Sequence, residues 1–483
     1  MSNPSEDHNN WQEMLRAILG PQAAEEVIAA LNAQGINPEA QLQGMLTPEN
    51  MQLITGQIQQ LLGASGEGPV NWKIAEKVAR DTIASRHLDR LTGAAGDAAR
   101  QALSTASLWL DAASEIDPTT GPNMAWTRLD WVAHALPTFR RLFEPLGANI
   151  SRAFKEAVAE HIGELPEQLT GFVQLPGGIG IPGGGAEAMI EKMLAALLGM
   201  QYGGALAELA VGSFGSTDTG IPFLEGSSAA LVPANIADFS AGLEVPESEV
   251  LAYVAVREVA AARLYTRVPW LRPRLLDTVA EFARGIDINT DAIEEQVRNM
   301  NFANPNEITE IDLSDVFALE LTQPQQDAIA RLEHLLSLIE GWVSEVSACA
   351  VAPHLPNAVA LREMFARRYA TDNPARHVWQ AQMGVPLAPR MMRESVAFWQ
   401  LANRKLDITQ RDHLWSHPDL LPTPEVLANP EDFFTANPAE IESELDSFLE
   451  DLFAGDTGAS APHEPKFGEE DDAGGPNTGE NTD

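Results

Sequence analysis

The stretch Glu247–Arg267, which reads ESEVLAYVAVREVAAARLYTR, decides the fold. Pro246 precedes it, acids fill its first turn and Val268-Pro269 follows it, so the pattern predicts a helix over these residues. Apolar residues recur at three- and four-residue steps, which predicts one buried face that includes Glu258. A carboxylate in that face must be paired, protonated or functional, because an unpartnered buried charge is strongly unfavourable.

Two neighbouring helical patterns carry further acids. Glu281 lies in the next helix, and Glu340 lies beside the apolar stripe of a helix from Pro324 to about Ala350. Carboxylates that converge near one helix suit a metal ion or a buried arginine. We hypothesise that Arg257 pairs with Glu281 or Glu340; the alternative is that Arg257 and Glu258 form a pair on the surface.

Five short sequence segments, in a fixed order along the chain, carry a resemblance to a known family. They are Gly68–Trp72, Val256–Tyr265, Val268–Arg272, Ile339–Val343 and Arg411–Pro422. From about Val70 to Asn429 the chain resembles an actinobacterial zincin-like family. Its members are identified as zinc-dependent metalloproteases or as uncharacterised hydrolases, so the resemblance implies a zincin-like fold and zinc as the expected cofactor.

In the zincin scheme two histidines one helical turn apart bind zinc, and the glutamate between them is the general base. By this resemblance Glu258 is the catalytic base, Arg257 and Ala261 are substituted ligand positions, and Glu281 or Glu340 is the carboxylate ligand if a metal binds. Arginine repels a dication and alanine donates no electron pair. We therefore predict a pseudoenzyme that binds or scaffolds rather than hydrolyses.

Two other functions stay open, and with them whether the chain is an enzyme. An active zinc hydrolase would combine Glu258 with Glu281, Glu340 and one of His413 or His417, which are one turn apart. The same histidines suit a structural role as helix caps. The third function is a structural interaction protein that works through its tails.

The predicted fold class is mainly α, with a small β-sheet edge near the strand candidate Ala229–Val232. The predicted domains are an N-terminal helical appendage and linker, a zincin-like domain, an acidic amphipathic helix and a disordered acidic tail. Their ranges are 1–66, 67–429, 430–454 and 455–483.

The formal net charge of −38 argues against nucleic acid and anionic membranes as partners, because both are polyanions. Met193–Val211 is apolar enough to suggest a membrane span, but its polar and glycine residues predict a buried helix. The acidic N-terminus is unlike a signal peptide, which predicts a cytoplasmic protein. The cleft suits a peptide or protein partner, and the acidic tail suits a basic one.

Overall fold

The computed structural model describes residues 68–86, 90–162, 174–175, 179–180, 186–285, 321–371, 377–380 and 390–435. The chain divides into two compact units, Met1–Pro430 and Glu431–Asp483. The predicted N-terminal appendage, most of the predicted acidic helix and the predicted tail lie outside the described residues, so these domain assignments stay predictions.

Helices dominate the described residues and strands are short, which confirms the predicted fold class. In chain order the elements are α1 Trp72–Arg86, α2 Gly93–Leu110, β1 Met124–Ala125, α3 Arg128–Ile162, β2 Gln174–Leu175, β3 Ile179–Gly180, α4 Ala186–Gly212, β4 Ala230–Leu231, α5 Pro233–Ser240, α6 Glu247–Arg267, α7 Leu271–Arg284, α8 Gln323–Val351, α9 Ala358–Thr371, α10 Met392–Lys405, α11 Ile408–His413, α12 Pro424–Ala428 and α13 Pro430–Thr435, with 3₁₀ turns at Leu414–Ser416 and Pro418–Leu420.

Helix α6 begins and ends where the sequence predicts, between Pro246 and Val268. The prediction of a single buried face is wrong, because every residue from Tyr253 to Tyr265 is buried. Helices α2, α5, α7, α8 and α9 and strand β4 all contact α6 and enclose it. A helix packed on all sides is a core element, and the small side chains of Ala260–Ala262 allow its neighbours to approach.

The sheet edge beside α6 forms from β4, which lies within the strand candidate at 229–232. Strand β4 pairs in parallel with β1, so Met124 faces Ala230 and Ala125 faces Leu231. On its other side β4 is bonded to the segment around Gly215, which bridges to Leu231 in antiparallel fashion. A second pair, β2 with β3, is antiparallel. The first sheet therefore holds the segment that follows Gly215 against α6.

Helix α4 contains Glu191–Gly212, which among the described residues is the stretch long and apolar enough to cross a membrane. The fold buries 72% of its most apolar window. The helix packs against α1 and α3. Gly199 and Gly203 account for the close contact with α1, because a Cβ at either residue would lie within 3.0 Å of backbone oxygen in Asn71 or Ala75.

Alanine substitutions at two adjacent glycines of α4 should change the free energy of unfolding in opposite directions. A Cβ at Gly203 would lie 2.6 Å from the Ala75 carbonyl oxygen and 2.8 Å from Val78 Cβ, whereas a Cβ at Gly204 meets nothing within 4 Å. We expect Gly203→Ala to lower the free energy of unfolding by about 1–3 kcal/mol through overpacking. We expect Gly204→Ala to raise it by about 0.5–1 kcal/mol, because alanine restricts the unfolded chain.

Urea unfolding of both variants checks this pair, provided that the slope with denaturant is unchanged. A change of the same sign in both variants would contradict the close packing of α4 on α1.

Candidate functional site

A pocket of about 870 Å³, including space open to solvent, lies against the middle of α6. Helix α6 contributes Arg257, Glu258 and Ala261 to its wall, and α8 contributes Glu340. The segment after Gly215 and helix α9 supply further wall residues. One cavity therefore brings together the two predicted ligand positions on α6, the predicted base and one predicted carboxylate ligand.

The carboxylate of Glu258 is enclosed by donors from the segment beside β4. Its Oε1 accepts from the Ser216 backbone N–H at 2.9 Å, from the Ser216 hydroxyl and, more weakly, from the Ala230 N–H at 3.4 Å. Its Oε2 accepts from the Thr217 N–H at 3.1 Å and hydroxyl at 2.6 Å. Burial raises the pKa of Glu258, and the Ser216 and Thr217 donors oppose that rise. A carboxylate has about four acceptor positions, so this one is fully used.

Gly215 lets this segment approach Glu258. A Cβ at residue 215 would collide with the Glu258 carboxylate and lie 2.6 Å from the Ala230 carbonyl oxygen. The Trp131 indole N–H donates to the Gly215 carbonyl oxygen at 3.0 Å and gives the segment a second attachment. Close backbone approach is therefore what places the Ser216 and Thr217 donors on the carboxylate.

Arg257 is paired with Glu340, as the first hypothesis states. Its Nη2 donates to Glu340 Oε1 at 2.5 Å, and its side chain is only 7% exposed, so the surface-pair alternative is wrong. The guanidinium carbon lies 5.1 Å from the ring centroid of Tyr369 and 5.5 Å from that of Phe365. Burial alone would lower the pKa of Arg257, but Glu340 and the nearby tyrosines raise it above its ordinary value. The guanidinium therefore stays charged inside the fold.

A second ion pair borders the same pocket. Arg368 Nη1 lies 3.2 Å from Asp218 Oδ2, and both side chains are nearly buried. The Tyr369 hydroxyl donates to Asp218 at 2.8 Å, and Arg368 stacks 3.9 Å from the Phe214 ring centroid. Sequence analysis missed this pair, because Asp218 lies in an irregular polar segment without helical or strand periodicity.

The other predicted ligands lie outside the pocket. Glu281 is half exposed and accepts from Arg331 at 2.9 Å rather than from Arg257. His413 and His417 are exposed. His417 accepts from the Asp419 N–H at 3.3 Å at the start of a 3₁₀ turn, which is the capping role that the sequence favours. Of the predicted acids, the pocket gathers Glu258 and Glu340.

The profile of the zincin-like metallopeptidase family matches residues 70–434, and the chain belongs to that family. Among solved structures it is similar to a proposed hydrolase with a novel fold from Chloroflexus aurantiacus, at 18% identity and a TM-score of 0.50. That match covers 76% of this chain and 97% of the other, and it shows the fold alone. No curated protein matches the chain.

The residues of this site do not fit the zinc ion that the family implies. By the motif resemblance, Arg257 would place a cation at the first histidine position, and Ala261 would have no donor atom at the second. Glu340 is engaged by Arg257, and Glu258 has no acceptor position left. Among the described residues, no group of three or more His, Cys, Asp or Glu side chains is placed to hold a metal.

Proposed function

We propose that this zincin-like protein is a binding or scaffolding pseudoenzyme that has lost zinc-dependent hydrolysis. One observation carries the proposal: the carboxylate in the position of the general base is saturated by donors from Ser216 and Thr217. A general base must have an accessible lone pair for the proton of the attacking water. Glu258 here acts as a structural acceptor that fastens the sheet edge to α6.

The chemistry of Arg257 supports the same conclusion. Zinc lowers the pKa of its bound water to about 7, which generates a nucleophile near neutral pH. A guanidinium donates hydrogen bonds and carries charge, but it has no empty orbital to accept the water oxygen. The Arg257–Glu340 pair thus replaces a metal centre with a compensated ion pair and supplies no nucleophile.

The pocket itself supports a binding role. It is a concave site beside α6 whose space of about 870 Å³ includes a part open to solvent. Hydrophobic side chains such as Val254, Leu336 and Phe365 form much of its wall, with a few charged groups among them. Such a cavity can enclose a ligand or an inserted side chain without any metal.

Metal content tests the proposal. We expect the full-length, tag-free protein to hold far less than one zinc per chain after incubation with zinc and dialysis, because Arg257 repels the ion. Inductively coupled plasma mass spectrometry measures this directly, and the Glu340→Gln variant is the matched control. Stoichiometric zinc that survives dialysis and disappears in Glu340→Gln would overturn the proposal and favour an active hydrolase.

A further inference from the structure

Two residues of the pocket wall carry hydrogen-bond donors that the described chain does not fully use. Trp379 lines the pocket and is 1% exposed, and its buried indole N–H has no partner. Arg257 donates from Nη2 to Glu340 and also interacts with the Tyr253 hydroxyl, so some of its five N–H groups can serve a further acceptor. Unsatisfied buried donors are unfavourable unless a ligand or water supplies an acceptor. A ligand atom that accepts hydrogen bonds from these donors would therefore be favoured in the pocket.

The charges around the cavity indicate that this acceptor is uncharged. Arg257 is balanced by Glu340, and Arg368 is balanced by Asp218. Glu258 adds either no charge or one negative charge, according to its protonation. In neither state does the wall offer an uncompensated cation, so a buried carboxylate ligand would lose its hydration without gaining a counter-ion. A neutral oxygen avoids that cost.

The remaining residues of the pocket wall favour a ligand with an apolar body. Val254 and Ala261 from α6, Leu336 and Val343 from α8, and Met392 from α10 all face the cavity. Each square ångström of apolar surface removed from water contributes roughly 25 cal/mol, so an aromatic or branched aliphatic group is favoured there.

We propose that the pocket binds a small, uncharged compound with an apolar body and a carbonyl oxygen, such as a primary amide. The carbonyl oxygen accepts the hydrogen bonds that Trp379 and Arg257 do not make within the chain, and the apolar body packs between α6 and α8. This inference rests on the proposed binding function, because a bound zinc ion would change both the charge and the donors of the wall.

Three probes of nearly equal shape test the ligand class on the full-length protein. They are phenylacetamide, phenylacetate and phenethylamine, which carry a neutral, a negative and a positive polar group. Calorimetric titration gives their affinities. ¹⁹F NMR of protein labelled with 5-fluorotryptophan gives the location, with the Trp379 signal assigned from Trp379→Phe. We expect phenylacetamide to shift the Trp379 signal and to bind about tenfold or more tightly than either ion.

A matched pair of tryptophan variants tests the donor. Trp379→Phe removes the indole N–H and keeps an aromatic ring, so we expect phenylacetamide affinity to fall about 5- to 10-fold. Trp126 also has a buried indole N–H without a partner, but it does not line the pocket, so Trp126→Phe should leave the affinity unchanged. The double variant Arg257→Met/Glu340→Leu removes the other donor together with its acid, and it should also weaken binding.

The outcomes separate this inference from the proposed function. Phenylacetate or phenethylamine that binds as tightly as phenylacetamide overturns the ligand class, and so does a Trp379→Phe variant that binds phenylacetamide as well as the parent. Zinc-free protein that binds none of the probes also overturns it, but leaves the loss of zinc intact. Stoichiometric zinc in the same preparation overturns the proposed function itself.

Discussion

Glu258→Ala should lower the free energy of unfolding by about 3–5 kcal/mol, because each buried donor left without an acceptor costs about 1–3 kcal/mol. The parent carboxylate accepts from Ser216, Thr217 and Ala230. Its loss would leave backbone N–H groups of the sheet edge unpaired inside the core and open a cavity beside Gly215. Water entering from the pocket can satisfy part of this set, which keeps the loss within the stated range.

Urea unfolding of three variants measures this effect. Glu258→Gln keeps the shape but turns an amide NH₂ toward two donors, so we expect a smaller loss, about 1–3 kcal/mol. Glu281→Ala is the control, since Glu281 is half exposed and forms an ion pair of the kind that contributes about 0–1 kcal/mol. If Glu258→Ala lowers the free energy of unfolding no more than Glu281→Ala does, the Glu258 carboxylate does not hold the sheet edge against α6.

The helix that carries the site could be predicted because its signals are local. Pro246 and the Val268-Pro269 pair set the bounds of α6, and helical spacing places Glu258 among buried residues. The acceptor role of Glu258 could not be predicted in this way. Its Ser216 partner is 42 residues away in sequence, and that bond depends on how β4 and the segment after Gly215 pack on α6.

The choice between Glu281 and Glu340 shows what periodicity does and does not decide. In α7 the residues Leu275, Val279 and Phe282 are buried. Glu281 lies off that stripe, so helical spacing alone could have placed it at the surface. Glu340 borders the buried stripe of α8, but only the packing of α8 on α6 brings it to Arg257. The sequence did not indicate that Trp379 lies in the pocket wall, because a single tryptophan is compatible with any buried position.

A designed pair of histidines should give this scaffold a zinc site. In the double variant Arg257→His/Ala261→His the two imidazoles are one turn apart on the same face of α6, and both positions line the pocket. Glu340 loses its arginine partner and becomes the third ligand, since its carboxylate already contacts the side chain at position 257. We expect zinc to bind more tightly than about 1 μM, with no comparable binding to the parent.

Calorimetric titration and zinc-dependent unfolding measure this gain, since free zinc at about 100 times its Kd should stabilise the variant by about 2.7 kcal/mol. Ala261→His alone keeps the Arg257 cation and should not bind zinc. The triple variant with Glu340→Gln should bind much more weakly; equal binding would show that Glu340 is not the third ligand. If the double variant binds no better than the parent, the backbone of α6 and α8 has moved away from zinc-binding geometry. The proposed loss of zinc would then involve more than the residues at positions 257 and 261.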